Sequence, residues 1–432
     1  MSALGVVYGE APLQTGRLGK LLQEASSYKL NGDAVSLIAF IGTRTEPRVI
    51  LLLVQDDDVD GALMLMLPAL SPDDIIVNGT AEHYSRSRKR SALMGSRSVH
   101  YVDMLCLFGR LSAGDDKVGL FMLIGSNKRD VHAQLDAAFS HYASVAVLPV
   151  STSGSGQYVR MVHDGLQAAF LQLYAEVHLV LSKLACPVGG SSAEGEHTSL
   201  RHVYAGWARE EDSQHFLTHA LQCLLPADDG PGAYVFNPEA THESTSRLLL
   251  QETSEYSFPC PTLAAAIEAR KMTSQHRFRR DAGSTLLAGP AELPLVAVEQ
   301  IIDDGKNALR LCLTACFAQA FALLRAAAER CGWEMDLSEL AKAWKFDGCS
   351  ISSCVLEPIV QALRTRPQQH LLGDRAIAVD AARRCSSLRR VVTLSVASGL
   401  PVPALQATVA YLDAYRAEGD DGNFVEALQS WA

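Results

Sequence analysis

The chain has 432 residues, of which 48% are hydrophobic and 20% charged, with a formal net charge of -10. This length supports two or three domains around a large core. The acidic balance gives no electrostatic reason to bind nucleic acid or an anionic membrane.

Read in chain order, Met1-Ser-Ala-Leu-Gly-Val-Val7 runs directly into a strand, with no signal peptide or Arg-rich transit segment. No apolar run reads as a membrane span. Short apolar runs at Leu4–Tyr8, Val49–Val54, Asp74–Val77, Val99–Leu105, Val118–Ile124 and Val145–Val150 predict strands. Short buried strands joined by helices indicate a doubly wound parallel sheet. Burial on both faces explains why Val49-Ile-Leu-Leu-Leu-Val54 is apolar without alternation.

From Ser151 the strand signal stops. Val159, Val162, Leu166, Phe170, Leu173 and Val177 fall at helical spacing and predict one helix over Gly156–Leu184, ended by Cys186-Pro-Val-Gly-Gly190. Val296–Cys331 is apolar on most faces, as in a helix at the middle of a bundle. Further helices are predicted over Ser199–Leu225, Pro261–Arg279, Leu356–Thr365, Asp380–Ser398 and Pro403–Ala417. The expected architecture is an α/β Rossmann-like domain over residues 1–150 and an all-helical domain over residues 151–432. The basic runs Ser85–Arg90 and Arg277–Arg280 read as solvated helix faces.

Ten cysteines show no paired spacing. Cys312 and Cys316 lie one turn apart in an apolar helix, and Cys349 and Cys354 lack partners at zinc-ligand spacing. Reduced thiols, an intracellular and by default cytoplasmic protein, and no structural metal are expected.

The first strand leads into Gly9-Glu10-Ala11-Pro12-Leu13-Gln14. A strand, a small-residue turn and a helix form the usual pyrophosphate site of a dinucleotide fold. Gly9 and Ala11 suit it. Gln14 stands where a third glycine belongs, and Pro12 removes an N–H. Glu10 adds an anion beside an anion; like charges ~4 Å apart repel by about 4 kcal/mol at an effective dielectric of 20. Arg44 would have to follow the second strand to read a ribose 2′-phosphate, and instead it sits in a turn before the Val49 strand.

Several stretches together resemble the 6-phosphogluconate dehydrogenase family. Gly154-Ser-Gly-Gln-Tyr-Val-Arg-Met-Val-His-Asp-Gly-Leu-Gln167 resembles the start of its long catalytic helix. Pro259-Cys-Pro261, the run Ala318–Ala328 with Gly332-Trp333, Trp344 with Gly348-Cys349, Arg389–Val392, Gly399–Pro403 and Tyr411–Arg416 resemble its later helices in order. Pro47–Val54, Asp74–Gly79 and Gly125-Ser-Asn-Lys128 match in the first half. The resemblance implies a Rossmann-like domain, then a large helical domain through which members dimerise. It also implies NADP-dependent oxidative decarboxylation of 6-phosphogluconate in the pentose phosphate pathway.

The resemblance also places the chemistry residue by residue. The family's base, a lysine, falls on Arg160, and its acid, a glutamate, falls on Gln167. A guanidinium stays protonated and an amide has no proton to exchange near neutral pH. Losing one positioned acid or base typically costs about 10²–10⁴-fold in rate. His163 is kept, while Asp164 replaces an asparagine, Ala168 a tyrosine, and Asn78-Gly-Thr-Ala81 an aspartate-glycine-glycine-asparagine turn. The serine-glycine-glycine loop finds no match near Gly109–Ser112, and a glycine-lysine-tryptophan-threonine segment is absent between Leu250 and Pro259. Arg279 matches an arginine that holds the substrate phosphate. The tail arginine falls on Gln429, and the chain stops at Ala432, before the tail histidine. The stretch from Ala227 to Tyr256 has no counterpart.

Two readings follow. The first is a family member without catalysis, with no cofactor, acting as a structural or interaction subunit in a homodimer or heteromer formed through the helical domain. The second is an NADP-dependent β-hydroxyacid dehydrogenase of altered or weak activity, using His163, Asp164 and Arg279. A sensor that keeps a sugar-phosphate site without turnover is a third.

Overall fold

The computed structural model describes residues 4–8, 25–30, 33–44, 46–109, 119–185, 193–210, 246–286, 297–346, 349–417 and 428–431. The first half is a seven-stranded sheet: β1 (Leu4–Tyr8), β2 (Ser27–Lys29), β3 (Val49–Leu53), β4 (Ile75–Asn78), β5 (His100–Gly109), β6 (Gly119–Ile124) and β7 (Ser144–Pro149). Its order is β2-β1-β3-β4-β5-β6-β7. All pairs are parallel except β5 with β6. Helices α1 (Ala34–Gly42), α2 (Val59–Met66), α3 (Tyr84–Gly95) and α4 (Arg129–Phe139) flank it. The chain is thus a Rossmann-like α/β unit followed by helices.

The unbroken apolar run of β3 has a direct cause. Val49 and Leu51 point into one core with Val131, Leu135 and Phe139 of α4. Ile50 and Leu52 point into the other, with Leu37 and Ile41 of α1 and Leu63 and Met66 of α2. A strand covered on both faces cannot alternate in polarity.

Helix α5 (Ser155–Leu184) leaves the sheet and enters the helical half, which continues with α6 (Ala193–Glu210), α7 (Ser246–Glu255), α8 (Pro261–Ser274), α9 (His276–Thr285), α10 (Val298–Cys331), α11 (Leu337–Trp344), α12 (Leu356–Thr365), α13 (Arg375–Ala397) and α14 (Pro403–Arg416). Its centre is α10, with Phe317 and Phe321 packed against Phe170 of α5 and Trp344. An 18-residue stretch of α10 reaches a mean hydropathy of 1.6, yet 83% of it is buried, so its apolar length belongs to the core. Cys312 and Cys316 are buried there.

Some elements differ from expectation. Strand β2 carries no strand signal in the sequence, because its three residues, Ser27-Tyr-Lys29, form a polar edge. The pairing of β5 with β6 is antiparallel, a departure from the expected parallel sheet. The helix expected over Pro261–Arg279 breaks at Gln275; the Thr273 and Ser274 hydroxyls donate to the carbonyls of Ala269 and Lys271 at 3.0 and 2.7 Å, competing with the backbone ladder. Helix α13 begins at Arg375 because the Asp374 carboxylate accepts from the N–H groups of Ala376 and Ile377, at 2.9 and 3.2 Å. Of Ser199–Leu225, the part beyond Glu210 lies outside the described residues. The Ser85–Arg90 run is not all solvated face: Arg90 is buried and bridges Glu82 and Asp60.

The joint between sheet and helices is Asp103, wholly buried on β5. Its carboxylate accepts the N–H groups of Gly154 and Gln157, both at 2.8 Å, at the N-terminus of α5. Gly154 has φ +91, and a Cβ at Gly125 or Gly156 would run into Asp103, so these glycines are required by the contact. Burial raises the Asp103 pKa to about 6 against the pull of those amides. The folded state therefore holds this proton more tightly than an unfolded Asp at about 3.9. The resulting stabilisation is complete below about pH 4 and is lost as the pH rises through about 6. The stability of the chain minus that of Asp103→Asn should thus fall by on the order of 3 kcal/mol from about pH 4 to 7. Urea melts at each pH measure it, and a difference that does not change with pH refutes the assignment.

Candidate functional site

Arg160, His163, Asp164 and Gln167 are spaced i, i+3, i+4 and i+7 on α5, which puts them on one face of the helix. The β4 end and the turn after it meet this face. Gln157 Nε2 donates to the Thr80 carbonyl at 2.6 Å, and Arg160 Nη1 donates to the Gly79 carbonyl at 2.8 Å. Asn78 holds the turn: its Oδ1 accepts the Thr80 N–H, and its Nδ2 donates to Glu82, both at 2.9 Å. Where the resemblance expects a base, a guanidinium is engaged as a strut between sheet and helix.

One turn on, His163 is buried. Its Nδ1 lies 3.3 Å from Asp164 Oδ1, and its Nε2 lies 3.7 Å from Cys349 Sγ and 3.5 Å from Ser350 Oγ. Burial alone would lower the imidazole pKa. The hydrogen bonds to Asp164 and Cys349 outweigh it and push the pKa up to about 9. His163 is therefore a cation at neutral pH, held between a carboxylate and a sulfur. It is a proton donor there, and a poor acceptor. Gln167 sits one further turn along, half-buried.

The other expected positions separate. Gly9, Glu10, Ala11, Pro12 and Gln14 lie outside the described residues, as do Gly348 and residues 110–118. Arg44 packs over the Phe40 ring, 4.7 Å from its centroid, beside Gly5. Gly5 is near the N-terminal end of β1. Dinucleotides bind at the carboxyl ends of parallel strands, so Arg44 is at the wrong end of the sheet. The second strand in chain order is β2, parallel to β1, and its carboxyl end is Lys29. Arg279 lies on exposed α9 and donates to the Thr273 carbonyl at 3.5 Å. Gln429 is exposed in a short C-terminal turn.

Sequence reasoning missed Asp103, Gln157 and Ser350. The signal for Asp103 was present: one charged residue inside Tyr101-Val-Asp-Met-Leu105, a run otherwise apolar. A carboxylate there must be satisfied by buried donors.

Sequence and fold find a common match. The family model described as 6-phosphogluconate dehydrogenase, C-terminal domain, fits residues 156–430. The chain belongs to the 6-phosphogluconate dehydrogenase family. It is 30% identical to a decarboxylating 6-phosphogluconate dehydrogenase of Arabidopsis thaliana, over 91% of this chain and 81% of that one. It is 28% identical to one from Spinacia oleracea, over 91% and 82% of the two chains. To the NADP(+)-dependent decarboxylating enzyme of Bacillus subtilis it is 26% identical, over 95% and 87%. Plasmodium falciparum 6-phosphogluconate dehydrogenase superposes with a TM-score of 0.80 at 22% identity, covering 99% of this chain and 90% of that one, a likeness of fold.

The charge on His163 is directly testable. In the native chain its imidazole should remain protonated through pH 8 in nitrogen-resolved NMR. Asp164→Asn removes the hydrogen bond that opposes burial, and the pKa should drop by at least about one unit. An imidazole that titrates near 6.5 in the native chain contradicts the geometry.

Proposed function

We propose that this member of the 6-phosphogluconate dehydrogenase family keeps the framework without the proton transfers, and serves as a structural or interaction subunit. One observation carries the reading: Arg160, at the position of the family's base, is bound to the Gly79 carbonyl at 2.8 Å. A guanidinium so held accepts no proton from a substrate hydroxyl. Gln167, at the position of the acid, has none to give to an enediol. Glu10, Pro12 and Gln14 in the glycine turn support the absence of a bound dinucleotide. An inactive scaffold inside the cell, joined to a protein partner through its helical half, is consistent with all of these. Membership of a fold family does not by itself imply its reaction.

A second reading has its own support. Relatives at 25–30% identity over more than 90% of this chain are named decarboxylating 6-phosphogluconate dehydrogenases. On that reading the chain is an NADP-dependent dehydrogenase of altered or weak activity, with the His163 imidazolium as its acid and Asp164 beside it.

One assay separates the two. NADPH formation from 6-phosphogluconate by the purified chain should run at least about 10⁴-fold below that of the spinach enzyme, because two proton-transfer groups are missing. Thermal shifts with NADPH and NADH should be nil. Turnover within about tenfold of the spinach enzyme would refute the first reading and establish the second.

A further inference from the structure

A cleft of about 790 Å³ opens where α10 ends, walled also by the start of α11 and the end of α12. Small-molecule sites have volumes of this order. Trp333, Met335 and Leu363 give it an apolar side. The rest of the lining is charged, and part of that charge is already satisfied. Lys342 is paired with Glu339, and the Asp336 carboxylate caps α11 by accepting the N–H groups of Ser338 and Glu339, both at 3.0 Å. The remaining charges are Arg325 and Glu329 on α10, Glu334 in the turn before α11, and Arg364 on α12. Among the described residues these four form no ion pair.

Arg325 is the least satisfied of them. It is half-buried. Its Nη2 donates to the Gln369 carbonyl at 3.2 Å, while its Nε is buried without an acceptor. Burial pulls its pKa below the ordinary arginine value, and the charge of Glu329 opposes that pull. A guanidinium taken out of water is stabilised by an anion against it. Glu329 stands one turn along the same helix face, at i+4, without closing that pair. A cation and an anion thus lie side by side on α10, each open to a group of opposite sign.

We propose that the cleft binds a free α-amino acid with a large apolar side chain, its carboxylate on Arg325, its ammonium on Glu329 and its side chain against Trp333 and Met335. An α-amino acid carries both charges on one carbon, which suits two neighbours on one helix face. The open guanidinia and carboxylates are equal in number, so a zwitterion leaves the cleft balanced. A phosphate ester would set its charge against Glu329 and Glu334, and a metal cation would meet Arg325 and Arg364. The cleft shares no residue with the His163 face, so the proposal stands apart from the question of turnover.

The test is calorimetric titration of the full chain with L-phenylalanine and three controls. L-Phenylalaninamide lacks the carboxylate, N-acetyl-L-phenylalanine lacks the ammonium, and glycine lacks the apolar side chain. L-Phenylalanine should bind saturably below about 1 mM. Each control should bind about tenfold more weakly or worse. Glu329→Gln changes an exposed side chain and should remove the preference for L-phenylalanine over its N-acetyl form. Arg325→Gln, with a circular dichroism spectrum to confirm folding, should remove the preference over the amide. Absence of saturable binding up to about 10 mM, controls that bind as L-phenylalanine does, or an unchanged preference in Glu329→Gln would each overturn the proposal.

Discussion

The two halves of the molecule meet at a carboxylate. Asp103 is the residue at which β5 stops pairing with β4, and from Met104 onward the strand pairs antiparallel with β6. At that point its side chain turns into the N-terminus of α5 and takes two of the four N–H groups that the helix cannot satisfy itself. The helix dipole favours an anion there, while burial opposes one. The balance leaves a group that ionises near neutrality inside the protein. Everything that α5 carries takes its position from this contact.

Three glycines exist to let it form, and the polar contacts around it are continuous. Gln157 and Arg160 tie the same helix to the Asn78–Thr80 turn, and Asn78 leads on to Glu82, Arg90 and Asp60. On the far side Ser151 accepts the Glu334 N–H at 3.0 Å. The loop after α11 then brings Cys349 and Ser350 to His163. The candidate site is thus bounded by the sheet, α5 and the helical half, and no one of them builds it alone. Its charges are arranged in order along α5: a cation tied to a carbonyl, a cation tied to a carboxylate, then a neutral amide.

Much of this was legible in the sequence where a period or a motif carried it. The 3.6-residue stripe of α5 and the apolar length of α10 gave both helices to within two residues at each end, because packing on several sides leaves a dense pattern. The shared face of Arg160, His163, Asp164 and Gln167 follows from spacing alone. What stayed hidden depends on residues far apart in the chain. Nothing local marks Gly79 as the acceptor for Arg160, 81 residues on, or Ser350 as a neighbour of His163, 187 residues away. The break at Gln275 was hidden for a different reason. Two hydroxyl side chains that compete for carbonyls outweigh a sequence otherwise able to continue as helix.

Burial separates the residues of the site face from those of the core. Arg160, Asp164 and Gln167 are half-buried and polar, so replacing one polar group by another there disturbs little packing. Phe170, Phe317, Phe321 and Trp344 are fully buried, and truncating a residue of that kind to alanine costs about 3–5 kcal/mol. A chain under pressure only to fold would hold the second group and let the first drift. Lysine's point charge has no preferred partner geometry, whereas a guanidinium is a rigid fork of donors suited to a fixed carbonyl. At Arg160 the fork has found one, on the turn that ends β4. The Arg160 guanidinium thereby ties the two halves together, from α5 to the turn that ends β4.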